Sequence, residues 1–354
     1  MSIIRKFWRS AECYVGSTLI PSNHQQRPET MKNTAATAEQ EENNATPDHE
    51  GNQSEVLDTQ LRDIEKTLPR RVLSAEDWKQ WTNWGYVVIP NAIPAAHVER
   101  LKALLWEFQD MDPDDPSTWN IGDRRAHEME ELSGNGMVEI YNHQYLWDTR
   151  QTPRIYNAFV DIWDREELWV SIDRANLNTP DPEADPSDGF IHWDVDTSDD
   201  PLPINVQGVL ALTDAGPEVG GFQCVPEIFH NLDDWIDSQP ENRDPFHPDL
   251  GDLEPTHVPM EAGDLVIFNS LLPHGIRPNT SDEKIRMAQY VSMYPAAEGN
   301  EEARERRIHS WKNQEHPKGV AFPGDPREWE KKHYDRAELT DLGERLLGRR
   351  SWDE

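Results

Sequence analysis

Two ligand-type residues on one stretch of chain, answered by a third about eighty residues later, restrict this sequence to folds that bring distant strands together. His192-Trp193-Asp194 supplies an imidazole and a carboxylate at positions i and i+2, and His274 supplies a second imidazole. On a strand, residues two apart point to the same face, so His192 and Asp194 face one way and Trp193 the other. His274 follows the apolar run 265–268 and sits in the turn Pro273-His274-Gly275. Two imidazoles and one carboxylate form the ligand set of a mononuclear non-haem Fe(II) centre. Such a set covers one face of an octahedral ion and leaves the other open.

The surroundings of the motif predict a fold that can deliver this. From residue 168 onward, short apolar runs alternate with Gly, Pro and Asp, at 168–177, 189–195, 204–213, 221–225, 264–269 and 285–294. Six short strands punctuated in this way predict a mainly β protein with flanking helices, its core a double-stranded β-helix (jelly-roll, cupin-like). Upstream, Ser74 reads as the N-cap of a helix carrying Trp78, Trp81 and Trp84, followed by a buried strand over 85–90. An amphipathic helix is expected over 93–108, a strand over 137–141 and a helix over 152–163. The Pro- and Asp-rich stretch 226–262 is long enough to be a lid or binding loop, and with 110–135 it is expected to shape a pocket.

Composition sets the limits around this core. Residues 23–68 are rich in Asn, Gln, Glu, Thr and Pro and poor in large apolar groups, so 1–70 is expected to be disordered. The predicted organisation is then a jelly-roll domain over 71–298 and a charged helical extension over 299–354, with 339–348 as its last helical piece. Met31 is a second candidate start. No apolar run reaches membrane length, and the first residues lack the apolar core of a signal peptide. With Cys13 and Cys224 alone there is no disulfide framework, which points to the cytoplasm. A net charge of -33 repels phosphate backbones and anionic membranes, so neither nucleic acid nor membrane is an expected partner. A small-molecule substrate is expected, with cationic or zwitterionic metabolites favoured by the charge.

Among 13 His and 67 acidic residues a lone His-x-Asp carries little weight. Its conjunction with a β run, a second His after another β run and an Arg beyond it carries much more. Arg286 opens the strand expected at 285–294, where a guanidinium can grip a carboxylate through two parallel hydrogen bonds. Its rival Arg277 lies in a loop before Pro278. Asn176 and Gln207, on neighbouring strands, are candidate hydrogen-bond donors to a co-substrate. His230, His247 and His257 have no partner at ligand spacing and read as loop histidines. Together the four residues His192, Asp194, His274 and Arg286 predict an oxygenase that uses Fe(II), 2-oxoglutarate and O2.

Over residues 72–294 the sequence resembles the phytanoyl-CoA dioxygenase family of Fe(II)/2-oxoglutarate-dependent oxygenases. The resemblance rests on His192-Trp-Asp194, on Gly220-Gly-Phe-Gln-Cys-Val-Pro226 with His230, on Gly263-Asp-Leu-Val-Ile-Phe268, and on His274-Gly-Ile-Arg-Pro-Asn279 followed by Arg286. It implies iron binding and catalysis at His192, Asp194 and His274, and 2-oxoglutarate binding at Arg286. The expected reaction is hydroxylation of a small metabolite at an aliphatic C–H, with release of succinate and CO2. Asp194 fills the position that a halide would need, which favours hydroxylation over halogenation. Two alternatives stand beside this: the same cofactors with a desaturation, cyclisation or demethylation outcome, and a non-catalytic jelly roll that binds or senses a metabolite.

Overall fold

The strand at 265–269 is apolar at both parities, which requires a sheet covered on both faces. A computed structural model describes residues 59–119, 136–185, 189–319, 322 and 324–354. Disorder expected over 1–58 and the pocket-shaping expected of 120–135 lie outside the described residues.

Helix α1 (Ala75–Trp84) begins at Ser74, whose hydroxyl accepts from the Asp77 amide while Asp77 accepts from the Ser74 amide. Strand β1 (Tyr86–Ile89) and helix α2 (Ala95–Gln109) follow, then β2 (Met137–Val138), α3 (Gln144–Arg150) and α4 (Pro153–Trp163). The β-rich part comprises β3 (Leu168–Val170), β4 (Ala175–Asn178), β5 (Val206–Ala211), β6 (Gly221–Cys224), β7 (Thr256–His257), β8 (Leu265–Asn269), β9 (His274–Arg277), β10 (Arg286–Tyr290) and β11 (Met293–Pro295). Two short helices, α5 (Pro226–His230) and α6 (Leu232–Ser238), lie between β6 and β7. Helices α7 (Glu301–Asn313), α8 (Trp329–His333) and α9 (Asp341–Leu347) come last.

The larger sheet is antiparallel, in the order β1-β8-β5-β10-β4-β2, and the smaller runs β7-β6-β9. Side-chain parity then divides the interior. Leu265, Ile267, Leu210 and Met287 pack with Leu101, Leu105, Phe108 and Phe159 of the helices. Val266, Phe268, Val209 and Ala288, one step out of phase, pack with Phe222 and Cys224 of the smaller sheet. Helices, large sheet and small sheet therefore stack as three layers, and the two facing antiparallel sheets make the expected jelly roll. Fully burying each large apolar side chain contributes about 1.5–3 kcal/mol, so both faces of the large sheet stabilise the fold.

The structure departs from the sequence reading at several points. The run 168–177 is two strands: β3 pairs with β11, whereas β4 pairs with β10 and β2. The run 285–294 divides likewise into β10 and β11. Residues 189–195 form no strand; a single antiparallel bridge, His192 with His274, ties them to β9, because the Trp193 amide donates to Phe246 O of a loop instead. His274 is the first residue of β9 rather than a turn residue. Residues 59–70, expected to be disordered, make tertiary contacts: Leu61 is fully buried, Arg62 donates to Phe229 O and Lys66 donates to Asp161 O. One apolar anchor and two long cations are too sparse a signal for a compositional reading. Beyond Pro295, Trp311, Leu346 and Leu347 are buried in the helix-side core.

Candidate metal centre

The site lies between the two sheets. The His192–His274 bridge is closed by two backbone bonds, His192 N to His274 O at 2.9 Å and His274 N to His192 O at 3.0 Å. This approach depends on the residue after His274: a Cβ at Gly275 would stand 1.9 Å from the Phe190 carbonyl oxygen. Glycine at that position thus lets the segment carrying His192 and Asp194 lie against β9.

Three side chains converge there. His192 Nε2 is 3.1 Å from Asp194 Oδ1, His274 Nε2 is 3.3 Å from Asp194 Oδ2, and the ligand atoms of the three residues lie within 4.8 Å of one another. Arms of about 2.1 Å at right angles put neighbouring metal ligands about 3.0 Å apart, so the two short separations suit one shared ion.

The proton inventory supports a cation at this point. His274 Nδ1 lies 3.0 Å from Leu272 O, which can only accept, so Nδ1 carries the hydrogen. A neutral His274 then turns its Nε2 lone pair toward a carboxylate oxygen. A positive charge between them, either a second proton or a metal ion, removes the conflict. His192 Nδ1 is buried and finds no hydrogen-bond partner among the described residues. Burial works to raise the Asp194 pKa, but His192 and His274 outweigh it and hold the carboxyl well below the usual carboxylate range. Aromatic rings enclose the imidazoles, with Phe190 stacked 4.7 Å from His192 and Phe268 centred 4.5 Å from His274.

Arg286 sits on the same inward face of the large sheet. Its register partner is Asn178, and Ala288 pairs with Asn176 and Ala211. The guanidinium is buried, donates to Arg277 O at 2.8 Å and to Val219 O at 3.4 Å, and is held by Asn178 Oδ1. Among the described residues no carboxylate pairs with it, and burial pushes its pKa down to about 10, still charged at neutral pH. A buried cation with only neutral acceptors favours an anionic ligand. The rival Arg277 contributes its carbonyl oxygen to this cradle.

The two amides fare differently. Asn176 lies buried on the inward face with Arg286 and Asn178. Gln207 points inward too, but its Nε2 donates to Asp194 Oδ2 at 2.6 Å, so the structure directs it to the carboxylate rather than to a co-substrate. Asn178 and Phe190 were missed by the sequence reading. Each stands two positions from a residue it named, Asn176 and His192, so strict alternation would have found both. Of the three histidines read as loop residues, His257 belongs to β7 and meets Gly220 O at 3.1 Å, His230 ends α5 and meets Asn83 O at 3.0 Å, and His247 lies in a loop and meets Asp244 at 3.0 Å. None joins the triad.

Comparisons with known proteins agree with this geometry. Residues 81–288 match the family described as phytanoyl-CoA dioxygenase (PhyH). An Aspergillus versicolor protein, Ava biosynthesis cluster protein O, is 24% identical over 255 residues, 65% of this chain and 81% of its own. A Dictyostelium discoideum protein that carries the phytanoyl-CoA dioxygenase name is 23% identical over 265 residues, 61% of this chain and 74% of its own. In fold, the chain resembles the crystal structure of a hypothetical protein from Escherichia coli, with a TM-score of 0.55 and 18% identity over 78% of this chain and 82% of that one.

Proposed function

The chain belongs to the phytanoyl-CoA dioxygenase family, a family of Fe(II)- and 2-oxoglutarate-dependent oxygenases, and from that premise we propose that it hydroxylates a small metabolite at an aliphatic C–H bond. Fe(II) with 2-oxoglutarate and O2 supplies the oxidising power, with succinate and CO2 as co-products. The observation that carries the reading is the convergence of His192 Nε2, His274 Nε2 and the Asp194 carboxylate beside a buried Arg286 that, among the described residues, faces no carboxylate.

In this reading His192, Asp194 and His274 hold the metal from one side. The Leu272 carbonyl keeps the His274 lone pair on Nε2, where a metal needs it. Arg286, held by Asn178 and Arg277 O, grips the far carboxylate of 2-oxoglutarate, and Asn176 lies beside it on the same face. Phe222 and Phe268 pack against the buried His274 ring, and the exposed Phe190 stacks on His192. Among the described residues no helix is long and apolar enough to cross a membrane.

An anaerobic titration of the apo-protein with Fe(II) and 2-oxoglutarate tests the reading. The expected result is a visible charge-transfer band that His274→Ala abolishes, followed by substrate-dependent succinate release across a panel of small metabolites. Well-folded wild-type protein that develops no band would favour a metabolite-binding jelly roll instead.

A further inference from the structure

We infer that Gln207 is a positioning residue that selects which oxygen of Asp194 the metal receives. The inference rests on the proposed metal site and deepens it. The two residues before Asp194 are fixed through the backbone: His192 by its bridge to His274, and Trp193 by donation to Phe246 O at 2.8 Å. Farther on, the Thr197 amide and hydroxyl donate to Pro245 O, and Arg243 donates to the Thr197 carbonyl and hydroxyl oxygens. What this backbone leaves open is the twist of the carboxylate about its terminal torsion, which has a broad, roughly two-fold preference.

Gln207 closes that freedom. Its Nε2 donates to Asp194 Oδ2 at 2.6 Å, a short bond to a charged acceptor. The donor comes from a rigid base: β5 is an interior strand between β8 and β10, with Gln207 in register opposite Phe268. Each oxygen faces one imidazole, Oδ1 at 3.1 Å from His192 Nε2 and Oδ2 at 3.3 Å from His274 Nε2, but among the described residues Oδ2 alone also accepts from a neutral amide, which keeps its hydrogens at any ordinary pH. The oxygen left for a metal is Oδ1. One-oxygen attachment keeps the coordination positions opposite the triad free, where a chelating co-substrate and O2 must both fit. If Asp194 turned to offer both oxygens, one of those positions would close. Partners of this outer kind are worth about 10–100-fold in metal affinity or activity.

The test compares wild type with Gln207→Leu, which keeps the volume and removes the donor. Gln207→Met stands ready should the branched side chain not fold. Three quantities are measured anaerobically: the affinity of the apo-protein for Fe(II), the absorption spectrum of the Co(II) form, which reports coordination number, and the affinity for 2-oxoglutarate at saturating metal. The expected result is Fe(II) affinity about 10–100-fold weaker, an altered Co(II) spectrum, and unchanged 2-oxoglutarate affinity and apo-protein melting temperature. Equal Fe(II) affinity and an identical Co(II) spectrum overturn the inference while leaving the oxygenase reading intact. Weaker 2-oxoglutarate binding with unchanged metal affinity overturns it too, because Gln207 would then touch the co-substrate. Wild-type protein that takes up neither metal brings down both readings together.

Discussion

Asp161 and Asp194 are both inward-facing carboxylates, yet their partners could hardly differ more. Asp161, at the end of α4, accepts four bonds of 2.7–3.0 Å from the backbone N–H groups of Arg71, Val72 and Leu73. Those donors never titrate and have nothing else to bind, so the carboxylate acts as a permanent clamp on the chain entering α1. Asp194 instead meets one amide and two imidazoles. An imidazole is a donor only while it holds a proton and becomes a ligand when it gives that proton up. Buried charge satisfied by backbone dipoles is architecture. A half-buried charge facing groups that can exchange a proton for a cation is a site.

The widest separation expected between the two regions comes from removing each carboxylate. Asp194→Ala should abolish metal binding and turnover and leave the melting temperature of the apo-protein almost unchanged. Asp161→Ala removes the acceptor of the Arg71, Val72 and Leu73 N–H groups, the last of them buried, and should cost about 3–5 kcal/mol, lowering the melting temperature by about 10 °C, while the folded fraction still binds metal. Calorimetry alongside Fe(II) titration reads both. A similar loss of stability from both substitutions would break the comparison.

Two buried arginines sharpen it. Arg307 of α7 donates to Val170 O, Leu346 O and Leu347 O at 2.6–3.1 Å and fastens the last helix to the sheet. Arg286 has neutral acceptors on one side and, among the described residues, no carboxylate partner. Arg286→Gln should raise the KM for 2-oxoglutarate about 30-fold or more, the loss of roughly 2 kcal/mol of charge-assisted bonding, with a smaller effect on stability. Arg307→Met should do the reverse, costing about 2–3 kcal/mol of stability with no change in that KM. Steady-state kinetics and denaturant melts on the same preparations separate the two.

The smallest effect belongs to Glu330, which joins α8 to the segment before α3. Its carboxylate accepts from the Tyr141 and Asn142 amides at 2.8 Å each, but burial outweighs them and raises its pKa to about 7. A raised folded pKa means that the folded state binds the proton more tightly than the unfolded chain does. The contribution is therefore complete below about pH 4.5 and is lost as the pH rises through about 7. Between pH 5.5 and 8 the stability of wild type relative to Glu330→Gln should fall by up to about 2 kcal/mol. A flat difference across that range would mean that the two amides keep the carboxylate ionised throughout.

Much of this was legible in the sequence, and the reasons are local. Ser74 with Asp77 announces a capping box, Gly348 closes the last helix with a positive φ, and alternation places His192 and Asp194 on one face. The strand breaks near 171–174 and 291–292 were not legible. Each break holds one apolar residue, Ile172 and Val291, beside polar ones, too short an interruption to mark a strand end, and the division appears because β3 and β11 pair with each other outside the large sheet. Leu61 escaped for a similar reason: a single buried residue within a polar stretch has no periodicity to reveal it.

By itself the sequence determined the chemistry on offer: two imidazoles and one carboxylate, with His192 and Asp194 two residues apart, and a distant guanidinium. Those properties follow from residue type and a two-residue repeat, and both survive without knowing where any strand lies. Tertiary structure alone decided who meets whom. Register sets Asn178 against Arg286, a loop carbonyl orients His274, and an interior strand brings Gln207 to Asp194 rather than to the co-substrate. Sliding a strand by one residue would reverse every one of those meetings while leaving the composition and the motif unchanged.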